Sequence, residues 1–185
     1  MLFVISAPSG AGKTTIIREL FSILPGLRFS VSATTRPQRK IEKEGKDYYF
    51  ISKEEFAEKI KKGDFVEWEE VHGNLYGTLK SEIESSLSSP LDMIFDVDVK
   101  GALNIKKLYP QAVSIFIDAP VDELTNRLKK RSTETEEEIK KRLARLELEL
   151  SYKNKFDYIV QNNSSPGGIK KAVEKIVKII TKSKI

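Results

Sequence analysis

The chain has 185 residues, enough for one well-buried core. It carries no cysteine, which excludes a disulfide framework and a thiolate metal site. Its net charge of +5 is spread along the chain, which fits phosphorylated small molecules better than nucleic acid. No stretch approaches the run of about 18 apolar residues that spans a bilayer, and the apolar start at 2–5 is too short for a secretory leader. The expectation is a cytoplasmic protein with no membrane or nucleic-acid partner.

The apolar run at 2–6 predicts a buried strand, followed by Ala7-Pro8-Ser9-Gly10-Ala11-Gly12-Lys13-Thr14-Thr15 and a helix over 13–24. Ile16, Ile17, Leu20, Phe21 and Leu24 form its packing stripe, and Pro25-Gly26 stops it. A strand, a glycine-rich turn and a helix opening on Lys-Thr build a phosphate cradle. Backbone N–H groups and the helix dipole favour anionic oxygens, Lys13 reaches the β- and γ-phosphates, and the Thr14 hydroxyl suits Mg²⁺. Ala7 stands where the usual pattern opens with glycine, a difference that matters only if that position needs positive φ or a close approach.

A basic loop spans 36–46, where Arg36 and Arg39, three residues apart, can clamp one phosphate from two directions. A strand at 48–51, a helix at 53–62 and strands at 65–71 and 76–79 follow. Tyr48 and Tyr76 each lie near glycine, and either core packing or phenol donation to a phosphate accounts for them. His72, the single histidine, reads as an exposed loop residue without a catalytic role. A helix at 80–88 leads to a buried strand at 93–95 that ends in Asp96-Val97-Asp98. A carboxylate there, beside a phosphate loop, can hold Mg²⁺, which makes Asp96 the second metal candidate.

Next come a helix at 99–108, a strand at 112–117, helices at 121–130 and 135–152, a strand at 157–160 and a helix at 167–181. Thr135 and Glu138 form a capping box, and Arg131, Arg142 and Arg145 gather around that corner. The runs at 2–6, 93–97 and 113–117 are continuous rather than alternating, as in a parallel sheet covered on both faces. Segment 32–79, with short and partly alternating strands, reads as an insertion on that α/β core.

Taken in order, the loop at 7–14, Ser30-Val31-Ser32-Ala33-Thr34-Thr35-Arg36, Gly45-Lys46-Asp47-Tyr48, Phe65-Val66-Glu67-Trp68, Tyr76-Gly77-Thr78, Asp96-Val97-Asp98 and Arg131-Ser132-Thr133-Glu134-Thr135 closely resemble the guanylate kinase family. The resemblance is collinear over nearly the whole chain. It implies a P-loop NTPase α/β fold of three layers with a central parallel sheet, plus a small α+β GMP-binding insertion and a helical lid. The implied parts are a core of 1–31, 80–123 and 147–185, the GMP-binding region 32–79, and the lid 124–146. The implied activity is ATP-dependent phosphorylation of GMP, and of dGMP, to the diphosphate, with Mg²⁺ as cofactor. Alternatives are a non-catalytic phosphopeptide-binding module of the same fold, or a kinase of another phosphorylated acceptor. The sequence leaves the choice between monomer and homo-oligomer open.

By this resemblance Arg36, Arg39, Tyr48 and Tyr76 hold the GMP phosphate, and Ser32, Glu67, Thr78 and Asp98 meet the guanine. Arg131 and Arg142 reach the ATP phosphates from the lid, and Asn162 lies near the adenine. Ser132 stands where glycine is common in the family, and Asn163 where aspartate is. The base assignment has its own physical logic. Guanine offers N1–H and an amino group, both donors to a carboxylate such as Glu67, whereas adenine N1 is an acceptor. A buried mismatch of that kind discriminates by about 10⁴–10⁵.

Overall fold

The apolar runs form the centre of the molecule. In the computed structural model, which describes residues 1–71, 73–130, 136–163 and 165–183, and only the backbone of 127–130 and 136–142, five parallel strands make one sheet. Their order is β2 (Leu27–Phe29), β7 (Asp92–Asp96), β1 (Leu2–Ser6), β8 (Val113–Asp118) and β9 (Tyr158–Gln161). Phe3 of β1 is in register with Ile94 on one side and Val113 on the other. Successive side chains of a strand point to opposite faces, and here both faces are covered, which is why the runs are continuous. Phe3 and Ile5 pack under α1 (Lys13–Ile23), α5 (Val121–Lys130), α6 (Glu136–Ser151) and α7 (Gly168–Lys182). Leu2 and Val4 pack under α3 (Lys80–Leu87) and α4 (Val99–Leu108). Phe3, Phe95 and Phe116 are wholly buried, each contributing about 1.5–3 kcal/mol through apolar area removed from water.

The carboxyl ends of β1 and β7 open toward one edge, where a second, four-stranded sheet stands. Its order is β4 (Tyr49–Phe50), β3 (Ala33–Thr34), β6 (Asn74–Leu79) and β5 (Phe65–Val71). Its small core is Ala33, Phe56 and Phe65, with Phe56 of α2 (Lys53–Lys62) stacked on Phe65 at 4.4 Å between centroids. Helix α2 begins where the Ser52 hydroxyl accepts from Glu55 N–H at 3.0 Å and ends at Gly63 with φ 70°. The hairpin of β5 and β6 sets Glu67 opposite Thr78.

Two strands lie outside the sequence expectation. β2 is a three-residue edge strand whose central Arg28 is exposed, so it carries no apolar run. β3 has two residues and exists only because β4 and β6 pair with it. The strand predicted at 48–51 narrows to Tyr49–Phe50, and the one at 76–79 starts earlier, at Asn74. His72 and Thr135 of the predicted capping box are outside the described residues. Among the described residues no helix is long and apolar enough to cross a membrane.

Candidate active site

Between β1 and α1 the chain turns through Gly10 (φ 88°) and Gly12 (φ 85°), left-handed conformations that glycine adopts without a Cβ penalty. The turn is closed by Ala11 N–H donating to the Pro8 carbonyl at 3.1 Å. Gly12 is the N-cap of α1 and no side chain caps it, so the first N–H groups of that helix face open space. Ala7 through Thr15 line a cavity of about 420 Å³ together with Asp98, Arg145 and Glu149. Lys13 Nζ lies 2.5 Å from Asp96 Oδ1 and donates to the Val97 carbonyl at 3.1 Å. The lysine head thus rests on the end of β7, beside the other half of the site.

That other half is a cavity of about 300 Å³ lined by Ser32, Tyr48, Glu67, Glu69, Tyr76 and Asp96, among others. It shares Lys13, Asp98 and Arg145 with the first cavity. Glu67 accepts from the Thr78 hydroxyl at 2.5 Å, across the hairpin. Burial pushes the Glu67 carboxyl above the usual range, and the Thr78 bond only partly offsets this. A Cβ on Gly101 would stand 2.8 Å from Glu67 Oε2, so this glycine of α4 leaves the space the carboxylate occupies.

Asp98 is the N-cap of α4, its Oδ1 accepting from Gly101 N–H at 2.8 Å. Glu69 sits against it and is pushed up to about 7, first by its hydrogen bond to Asp98, then by burial and by the Asp98 charge. Burial opposes the charge on Asp98, yet the bonds from Glu69 and Gly101, with Arg145 nearby, hold it below the usual carboxylate range.

The sequence-predicted residues are distributed unevenly. Lys13, Ser32, Tyr48, Glu67, Tyr76, Asp96 and Asp98 share the second cavity, with Thr78 buried behind Glu67. Arg36 and Arg39 do not line it. Arg36 is bonded through Nη2 to both Glu42 oxygens, at 2.8 and 3.0 Å, and through Nη1 to the Pro37 carbonyl. Its guanidinium lies 5.5 Å from the centroid of the Tyr48 ring, which joins it to the cavity wall. Arg39 is exposed, its backbone N–H donating to Glu42 at 2.9 Å.

Asn162 is buried beneath the phosphate loop, its amide donating to the Ala11 carbonyl at 2.7 Å. It also borders a third cavity, of about 270 Å³, with Gly12, Asn163, Ser165 and Ile169. Arg131, Ser132 and the side chain of Arg142 are outside the described residues. Arg145, Glu69, Glu149 and Gly101 are residues that sequence reasoning missed. Arg145 stood in the same basic corner as Arg131 and Arg142, but an anonymous helix charge gives no further signal.

A phosphate cradle on a parallel sheet, facing an inserted pocket rich in carboxylates and tyrosines across a shared lysine, defines a P-loop nucleotide kinase architecture. Relatives sharpen that class. The family model described as guanylate kinase matches residues 1–183. The guanylate kinase of Thermotoga maritima is 47% identical over 180 residues, covering 97% of this chain and 85% of that protein. That of Clostridium tetani is 45% identical over 185 residues, covering 100% and 86%. Among solved structures, the crystal structure of guanylate kinase from Anaplasma phagocytophilum has a TM-score of 0.75 at 30% identity, covering 98% of this chain and 84% of that one. This chain belongs to the guanylate kinase family.

Proposed function

We propose that this protein transfers the γ-phosphoryl group of ATP to GMP, with dGMP as a second acceptor. The observation that carries the reading is the Glu67–Thr78 pair, opening into a cavity that shares Lys13 with the phosphate cradle. A buried carboxylate accepts from guanine N1–H and the amino group and the Ser32 hydroxyl serves O6, while Thr78, whose single hydroxyl proton goes to Glu67, holds that carboxylate in place. Tyr48 and Tyr76, with Arg36 behind them, favour an anionic phosphate on the acceptor. In this reading the donor phosphates lie along residues 7–15 and the adenine near Asn162. Segment 32–79 takes the acceptor, and 124–146, with Arg131 and Arg142, closes over both.

Phosphoryl transfer of this kind needs alignment and charge neutralisation more than acid–base chemistry. Lys13 stands between the two cavities, where negative charge develops on the moving group. Thr14 in the cradle and Asp96 at the end of β7 supply the hard oxygen donors suited to Mg²⁺, which is typically held by one or two protein oxygens and the substrate phosphates. When bound, the ion supplies Lewis-acid neutralisation of phosphate charge.

A substrate panel tests the reading. Purified protein with Mg-ATP is offered GMP, dGMP, AMP, CMP and UMP, and ADP release is followed. Turnover with GMP at least about 10³-fold above AMP in kcat/KM is expected. Equal turnover of AMP and GMP would remove the base assignment.

A further inference from the structure

Arg145 is the residue around which the two half-sites meet. Its Nε donates to Glu149 Oε1 at 3.0 Å, and Glu149 Oε2 accepts from Ser9 N–H of the phosphate loop at 3.3 Å. Its Nη2 donates to Glu69 Oε2 on β5 at 3.2 Å and lies 3.7 Å from Asp98 Oδ2 at the start of α4. One guanidinium on α6 therefore links the phosphate loop, the hairpin that carries Glu67, and the helix N-cap that carries Asp98. It lies in the wall shared by both cavities.

Its Nε and Nη2 are engaged by carboxylates, which argues against a direct role on a transferring phosphate. The charge arrangement supplies the role instead. Arg145 Nη2 meets Glu69 and lies near Asp98, and both line the cavity that Glu67 lines, so one guanidinium fixes how these carboxyl groups face the acceptor. A planar fork can bridge several carboxylates at fixed angles, as the point charge of a lysine cannot.

We propose that Arg145, acting with Glu69, is a positioning residue for the acceptor nucleotide: it clasps the β5–β6 hairpin to α6 and fixes Asp98 for the base. The proposal rests on the GMP kinase reading. It assigns Arg145 to acceptor affinity, not to the phosphoryl step.

The test is steady-state kinetics with GMP and ATP varied separately, on the wild type, R145A, R145K, E69Q and the double variant R145A/E69Q. R145A is expected to raise GMP KM about tenfold, within the 5–150-fold range typical of coupled sites, while ATP KM and kcat stay within about threefold. R145K is expected to fall between the two. E69Q is expected to restore most of the GMP KM in the R145A background, because its amide can donate to Asp98 in place of the lost guanidinium. A general loosening of α6 would not be repaired by a change on β5.

A GMP KM within twofold of wild type in R145A would overturn the proposal. So would a fall in kcat at unchanged KM, which would place Arg145 on the transferred group, or a failure of E69Q to restore the KM. A wild type inactive on GMP would count against the kinase reading instead. Hydrogen exchange in the nucleotide-free protein then reads the clasp without turnover. Amides of 65–71 exchange faster in R145A if the clasp exists, and unchanged exchange there overturns it.

Discussion

The donor cradle and the acceptor pocket are built on different physical principles. The cradle is made of backbone: two left-handed glycines, an uncapped helix start and one lysine, all within residues 7–15. The acceptor pocket is made of side chains that hold one another across long stretches of chain. Thr78 sets Glu67, Gly101 leaves room for it, Glu69 leans on Asp98, and Arg145 reaches in from α6. A backbone site tolerates changes of side chain, whereas a pocket of mutual supports transmits each change to its neighbours.

The largest effect is expected at the point both regions share. Lys13→Met removes the one charged side chain of the cradle that reaches toward the transferred group, and kcat is expected to fall by about 10²–10³-fold. The fold should survive, because its partners Asp96 and the Val97 carbonyl lie at the open end of the sheet, where water can replace it. Circular dichroism and thermal unfolding beside the kinetics separate the two. Full activity in Lys13→Met would mean that backbone and metal alone carry the charge.

The next effect belongs to the pocket. Glu67→Gln is expected to raise GMP KM by about 10–100-fold, the loss of hydrogen bonds to a charged group of about 1.5–3 kcal/mol, and to narrow the preference for GMP over AMP. The same residue gives the pocket a pH dependence. Burial raises the Glu67 carboxyl above the ordinary value, so its charged, accepting form is lost earlier on acidification than an exposed glutamate's would be. GMP KM should therefore climb as pH falls toward the carboxylate range, at higher pH than an exposed glutamate would require, and climb less steeply in Glu67→Gln. The GMP phosphate titrates in both proteins, so the difference between the two profiles isolates Glu67. Parallel profiles would show that the carboxyl stays charged throughout.

How much of this was legible follows from the same contrast. The cradle could be read because its parts are adjacent and their spacing is the mechanism. The five parallel strands could be read where they are buried on both faces, at 2–6, 93–97 and 113–117, while the edge strand at Leu27–Phe29 and the two-residue strand at Ala33–Thr34 carry no pattern of their own. Glu67 and Asp98 came from the resemblance, and the structure adds what holds them. Gly101 and Arg145 were not legible, because each matters through a partner more than 30 positions away. On α6, Arg145 is one charge among many, and only the fold sets it opposite Glu69 and Asp98. Arg36 was legible as a cation, but not its hold on both Glu42 oxygens through one nitrogen.

Gly101→Ala probes that long-range support directly. Alanine favours the helix by up to about 1 kcal/mol over glycine, so thermal stability should hold or rise. The new methyl would meet the Glu67 carboxylate at 2.8 Å, and the far end of that side chain must turn aside. GMP KM is expected to rise about 5–10-fold, with ATP KM unchanged. A stable variant with unchanged GMP KM would show that α4 does not set the position of Glu67, and the picture of mutual supports would lose its clearest example.

The smallest effects are expected in the cradle, and their smallness is what distinguishes it. Ser9→Ala and Thr15→Ala leave every backbone N–H of the loop and of the first turn of α1 in place. Both residues line the cavity, yet the anion site there is made by N–H groups and by the positive end of the helix. Each variant should keep kcat/KM for ATP within about threefold of wild type, since exposed polar substitutions away from a cap or a buried network cost little. Ser9→Ala also keeps the N–H that donates to Glu149, so the link from the loop to Arg145 stays whole. A tenfold loss in either variant would mean that the hydroxyls themselves bind phosphate. The cradle would then be a side-chain site like the pocket, and the division of labour between backbone and side chains would fail at its simplest point.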